Sequence, residues 1–241
     1  MIIENHSVYK IDENFREKHF NLLNYFQLNN LDIEISDKLI DFETFLKSLS
    51  TEEKNYPYDE SFNSNNVFIQ DPKTYFCLLI KSNEQIVATY SARNLHPIGF
   101  VGILKSHFSW TNYLSEPDDY LPSGKSFHTV ENPFYSSNLW LKSTFKEKKI
   151  DIFLDHLKKN IIFDIVKGDI NYSVHKEKFK DYHLNDLLYE RSEWIGTIND
   201  DNLVTGVPSG KPTMQEKNYH LTWVFKDTWE NKHNETKLLY L

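Results

Sequence analysis

The sequence predicts a mixed α/β domain, on three observations. Two β-rich runs, KTYFCLLIK and IVATYSARNL, are joined by the short polar turn SNEQ, as an antiparallel hairpin requires. Next, FYSSNLWL alternates like a strand and leads into FKEKKIDIFLDHLKKNIIFDIVKGD, whose Ile150, Phe153, Leu154, Leu157, Ile161 and Ile165 share one helical face. Strand-like and helical stretches then alternate to the end of the chain. At 241 residues and 39% hydrophobic content one substantial core is affordable, and no repeat or composition break divides residues 1–241.

Taken in order, residues 1–66 read as an N-terminal helical segment, with Phe15, Phe20, Leu23 and Phe26 in one part and Leu39, Phe42, Phe45, Leu46 and Leu49 in another. Its end, Thr51 to Asn66, is polar, contains Pro57 and reads as a surface loop. The hairpin strands are expected near Thr74 to Lys81 and Gln85 to Ala92. Residues from about 96 to 133 mix aromatics with Pro117, Pro122 and Pro133 and read as an irregular insertion. A strand follows at Phe134 to Leu141, then the amphipathic helix, which Gly168 would end in a left-handed turn. A strand at Asp169 to His175, a helical stretch at Lys178 to Leu188 and the strand-like NYHLTWVFKD complete the pattern.

Composition narrows the function classes. A formal charge of −8 opposes general binding to nucleic acid, which relies on Lys and Arg displacing counterions. The N-terminus lacks the basic flank and apolar core of a secretion signal, and no stretch of about 18 apolar residues offers a membrane span. With one cysteine, Cys77, no intramolecular disulfide can form, so the expectation is a cytoplasmic protein. Neither LPSGKS (residues 121–126) nor PSGKPT (residues 208–213) meets the phosphate-loop pattern: the first has Asp119 where the leading glycine belongs, the second Pro212 where a Ser or Thr belongs. The ten histidines form no recognised ligand spacing, so no metal is expected; Asp151, Asp155 and His156 read as the exposed side of their helix. There is no G-x-S-x-G elbow, and Cys77 sits in a strand-like run without a feature to activate it.

A hairpin, a strand, a basic loop opening an amphipathic helix, then another strand and helix is the element order of the GNAT acyltransferase core. LKSTFKEKKIDIFL, Leu141 to Leu154, resembles that superfamily's acyl-CoA loop V-x-P-x-x-R-G-x-G-x-G-x-x-L, with Leu141 at the strand end, Lys146 at the basic position and Leu154 at the first buried helix position. The tail, YERSEWIG followed by NYHLTWVFKD, is similar to a little-described bacterial GNAT-like group. Together with the hairpin, the likeness covers roughly Tyr75 to Asp227. It implies a central mixed, mostly antiparallel sheet flanked by helices. It also implies an acyltransferase that moves an acetyl or other acyl group from acyl-CoA directly to an amine, on a small molecule or a peptide.

The resemblance assigns roles. The backbone at Asn138, Leu139, Trp140 and Leu141 would hold the pantetheine arm. Lys146, Glu147, Lys148, Lys149, Ile150 and Asp151 would bind the diphosphate at a helix N-terminus, where open N–H groups and the positive dipole end attract anions. Glu147, Lys149 and Asp151 stand where the pattern has glycine, so two carboxylates oppose the diphosphate and three lysines offset them. Tyr182, with Tyr189 as the alternative, is the candidate proton donor to the departing thiolate, and His128 and Glu131 are candidate bases. The missing glycines motivate a second reading, an inactive GNAT-like module that binds a ligand or protein in the same cleft. Under either reading the aromatic insertion suits a homodimer contact.

Overall fold

A computed structural model describes residues 1–38, 45, 75–94, 132–198 and 217–236. Among them, eight strands form one sheet in the order β1-β2-β3-β4-β5-β6-β8-β7. They are β1 (Ile2–Asn5), β2 (Asp32–Ser36), β3 (Tyr75–Ser82), β4 (Gln85–Asn94), β5 (Pro133–Leu141), β6 (Ile170–Lys176), β7 (Arg191–Ile198) and β8 (Lys217–Phe225). Two neighbouring pairs, β1 with β2 and β5 with β6, are parallel; the other pairs are antiparallel. This is the mixed, mostly antiparallel sheet expected.

The hairpin forms as read, pairing from Tyr75↔Arg93 to Ser82↔Gln85 with a one-residue bulge between Ile80 and Lys81 that leaves Val87 unpaired. Its two turn residues, Asn83 and Glu84, have φ of 48° and 64°, the left-handed pair that matches the twist of a two-residue hairpin. The N-terminal segment is corrected. It holds helices α1 (Glu13–Lys18) and α2 (Phe20–Leu28), but strands β1 and β2 bracket them. IIEN and DIEIS are too short for alternation to register against the helical spacing beside them, and β2 is buried on both faces from Ile33 to Ser36. Leu39, Phe42, Leu46, Leu49, the loop at 51–66 and almost all of the 96–133 insertion lie outside the described residues.

Helix α3 (Ile150–Asn160) runs on as a π-helical turn, Ile161–Ile165. Its Ile150, Phe153, Leu154 and Leu157 pack with Phe26 of α2 and with Phe76, Leu78, Ile80 and Tyr90 of the sheet in one core. Each such side chain contributes about 1.5–3 kcal/mol by leaving water. Asp12 caps α1 by accepting from the Phe15 N–H at 2.7 Å. The predicted helix at Lys178 to Leu188 is two short turns, Glu177–Phe179 and Tyr182–Asp186. NYHLTWVFKD forms β8 and then opens a helix, α4 (Lys226–Thr236), that periodicity did not reveal. No helix among the described residues is long and apolar enough to cross a membrane.

Gly168 needs correction in detail. The left-handed residue is Lys167 (φ 61°), while the Gly168 N–H closes the helix by donating to Ile162 O at 2.8 Å. Gly168 is there for space: a Cβ would stand 2.6 Å from Ile162 Cγ2 and 3.1 Å from Phe134 Cδ2. Gly168→Ala is expected to cost roughly 1–3 kcal/mol through overpacking, read as a lower midpoint in urea.

Candidate functional site

The sheet opens between β5 and β6. The two strands pair in parallel over four rungs, Pro133↔Ile170 to Ser136↔Ser173, and pair no further. Beyond that rung β5 continues against β4 to Leu141, while β6 continues against β8 to Lys176. Strands that leave one another this way make a V, bounded by residues 137–141 on one side and 174–176 on the other. Thr89 pairs with Trp140 but Ser91 with Ser137, so Tyr90 alone opposes Asn138 and Leu139. This bulge bends β5 where the V widens.

The four predicted pantetheine positions, Asn138, Leu139, Trp140 and Leu141, all fall on the diverging half of β5. Next comes a 3₁₀ turn, Ser143–Lys148, containing Lys146, Glu147 and Lys148, and then Lys149 at φ 51°, ψ 27°. Lys149 thus adopts the left-handed conformation that glycine takes without cost and that a residue with a Cβ takes at roughly 1–2 kcal/mol, and its side chain is exposed. Its carbonyl receives the N–H groups of Ile152 and Phe153, which starts α3. The N–H groups before them have no acceptor within the helix. Ile150 is fully buried and anchors this end in the core.

Tyr182 and Asp151, predicted for different tasks, meet here. The Tyr182 hydroxyl donates to Asp151 Oδ2 at 2.5 Å. Burial, then the bond to Asp151, pushes the Tyr182 phenol far above its ordinary range, so it remains a protonated donor. Tyr189 is fully buried. His128 and Glu131 lie outside the described residues.

One cluster escaped the sequence reading. Asp155 and His156, expected on the exposed side of α3, are 0% and 1% exposed, and Lys158 and Lys159 are also at 0%. The helix is covered on all sides from Phe153 onward, because α2, the sheet and α4 close over it: Tyr25 of α2 meets Phe153 edge-on with ring centroids 4.0 Å apart, and the ring of Trp229 of α4 lies 5.1 Å from that of His156. Asp155 accepts from Lys158 Nζ at 2.7 Å and from Lys159 Nζ at 2.5 Å. Lys159 also donates to Leu187 O and sits over the Tyr189 ring, while Lys158 lies 4.4 Å over Tyr90. Burial pushes both lysines below their ordinary pKa, and the two ammonium groups hold Asp155 well below the carboxylate range despite its own burial. A signal was present: Lys158 falls in the apolar stripe, four residues after Leu154 and three before Ile161.

A second unanticipated group stacks His175 of β6 on His183 (4.0 Å between ring centroids) and beside His220 of β8 (5.6 Å). His175 Nδ1 lies 2.9 Å from Lys176 O, which makes Nδ1 the protonated nitrogen, and Nε2 then accepts from the Ser192 hydroxyl at 3.3 Å. Burial lowers His175 to about 4. Among the described residues no group of His, Cys, Asp or Glu is placed to hold a metal ion.

The sequence matches no family model and no curated protein. Solved structures do match. FeeM, an N-acyl amino acid synthase from uncultured soil microbes, superposes with a TM-score of 0.50 over 83% of this chain and 93% of its own, at 11% identity. A spermidine N-acetyltransferase from Vibrio cholerae gives 0.48 over 85% and 99%, also at 11% identity. The acyl-homoserine lactone synthase BjaI gives 0.46 over 91% and 84%, at 8%. Likeness at this identity shows architecture alone, and with the parallel pair that parts after Ser136 and Ser173 it establishes that the chain has a GNAT-like fold.

Proposed function

We propose that the chain transfers an acetyl or other acyl group from acyl-CoA to an amine. The observation that carries this reading is the V between β5 and β6, with the N-terminus of α3 opening from left-handed Lys149 at its mouth. A thioester arm along residues 138–141 would place its carbonyl in the V, and the diphosphate would meet the α3 N-terminus and Lys146, Lys148 and Lys149. The amine nitrogen attacks the carbonyl carbon, the C–N bond forms, the C–S bond breaks and the thiolate takes a proton. Tyr182 beside the α3 N-terminus is the candidate donor for that last step, and its hydroxyl must first leave Asp151 Oδ2 to deliver the proton. FeeM, named an N-acyl amino acid synthase, is a relative in fold whose product is also an N-acyl compound.

The second reading, a binding module without transfer, is favoured by Asp151. Its carboxylate is fixed in the first turn of α3, where it competes with an incoming anion for the same dipole.

Calorimetric titration with acetyl-CoA and CoA separates the two readings. Under the first, binding is micromolar, Lys146→Ala and Lys149→Ala each weaken it several-fold, and Asp151→Asn tightens it by about 5-fold, on the order of 1 kcal/mol. Lys149→Gly is expected to bind at least as well as Lys149→Ala, since glycine releases the backbone strain. Absence of binding at millimolar cofactor assigns the V to another ligand.

A further inference from the structure

The last rung of the parallel β5–β6 ladder, Ser136↔Ser173, marks where the V closes. The end of a ladder frays or extends easily, and each rung gained or lost moves the closure by about 3.3 Å. A side chain holds this end in place. Asn171 of β6, fully buried, stands opposite Phe134 and reaches along the same face to Ser136. One hydrogen of its Nδ2 meets Ser136 Oγ at 2.6 Å, and the other is shared by Phe134 O and Tyr172 O, each at 3.3 Å. These bonds fix which way the amide faces, since only the nitrogen can donate to the Phe134 carbonyl.

The other end of the amide is tied to α3. Its Oδ1 accepts from the Tyr189 hydroxyl at 3.2 Å, that hydroxyl accepts from Lys158 Nζ at 3.2 Å, and Lys158 Nζ donates to Asp155 at 2.7 Å. An unbroken line of hydrogen bonds therefore runs from the closing rung of the V to the buried face of the helix. Lys158 stands about 12 Å along α3 from Ile150, at about 1.5 Å per residue, so the line holds the N-terminus of α3 at a set distance from the closed end of the V. Cohesion alone does not call for such a line, because apolar side chains in place of buried charge are often neutral or stabilising. Directional bonds supply a single register, which apolar contact does not.

We propose that Asn171 is a positioning residue for acyl transfer: by pinning Ser136 on one side and α3, through Tyr189 and Lys158, on the other, it sets where the thioester carbonyl comes to rest. The inference rests on the acyl-transfer reading of the V, in which the diphosphate meets the α3 N-terminus and the arm runs along residues 138–141 toward the closed end. Without the clamp the closing rung frays, the V deepens, and the carbonyl is no longer held at one depth.

Asn171→Ala removes the clamp, and Tyr189→Phe removes only the hydroxyl that ties it to α3, so the second variant serves if the first does not fold. Each is titrated with CoA by calorimetry and assayed for transfer from acetyl-CoA to a panel of primary amines. Each is also mixed with acetyl-CoA isotope-labelled at its carbonyl carbon, whose nuclear magnetic resonance signal reports the surroundings of the thioester whatever the acceptor. In Asn171→Ala the bound signal should move back toward its free position and kcat should fall by about 100-fold, the loss that a displacement of about 1 Å produces. The dissociation constant of CoA, set at the α3 N-terminus, should stay within about 2-fold. Tyr189→Phe should lower kcat by roughly 10-fold, and the double variant should fall no further than Asn171→Ala alone, because both act at one point. A lower midpoint in urea with wild-type signal and kcat would mean that Asn171 serves only the core, and CoA affinity lost in step with kcat would mean that the whole cleft has collapsed. Either result overturns the inference and leaves acyl transfer standing. A wild type that binds neither CoA nor acetyl-CoA overturns the acyl-transfer reading and this inference with it.

Discussion

Asp155→Asn is expected to lower the stability of the fold by roughly 3–5 kcal/mol, enough to unfold a domain of ordinary stability. Among the described residues the carboxylate is the sole anion bonded to Lys158 and Lys159 Nζ, and removing it leaves two buried amines that fold only by shedding both protons. Lys158→Met should fall within about 1 kcal/mol of wild type, because the lost hydrogen bonds are offset by removal of an unmatched charge. The double variant Asp155→Asn/Lys158→Met should then regain part of the loss, since one buried amine remains instead of two. Urea denaturation at pH 7 of the four proteins closes this cycle. Equal loss in Asp155→Asn and Lys158→Met would show that the cluster acts by packing and that its charge count is immaterial.

The same cluster shows what could be read in the sequence and what could not. The apolar stripe of α3 and the turn that continues it was legible because six positions, from Ile150 to Ile165, repeat at helical spacing, and Lys158 stands inside that stripe. Reading it required allowing that a helix may be covered all round, which depends on α2 and α4; α4, with few apolar residues, shows no helical stripe of its own. The hairpin and β5 were legible because strand alternation and turn chemistry are local. The V was legible only through family likeness, since the parallel partner of β5 lies 37 residues downstream at Phe134↔Asn171. The same distance problem hid the Tyr182–Asp151 bond, which spans 31 residues, and the histidine stack, whose members come from two strands and a turn. Strands β1 and β2 were missed for the opposite reason: they are local but four and five residues long, too brief for a period of two to outweigh the helices between them.

Acid is expected to unfold the protein well above the pH at which carboxylates protonate. His156 and His175 are buried as neutral rings, each lowered to about 4 chiefly by desolvation, and His183 is lowered further for the same reason. In the unfolded chain these rings take up protons near 6.5. Between those values the unfolded state binds more protons, so stability is full above about pH 6.5 and falls as the pH drops toward 4. Each of the two histidines removes about 3 kcal/mol by pH 4, and together they approach the whole stability of a typical domain. Asp164, lowered to about 2 in its bonds to His19 and Lys18, adds its loss only below the ordinary carboxylate value and cannot be the cause of unfolding at pH 5. The buried lysines carry the same sign at the other end: folded values below the unfolded one make stability rise with pH from neutrality toward about 10, where the unfolded lysines also lose their protons. Thermal melts from pH 4 to 10 should therefore climb across the range instead of peaking near neutrality. His175→Gln should flatten the acid limb, and Lys158→Met the alkaline one. A melting temperature that stays level between pH 7 and 4.5 would mean that the imidazole stack opens to water without disturbing the sheet, and that β6 and β8 tolerate charge between them.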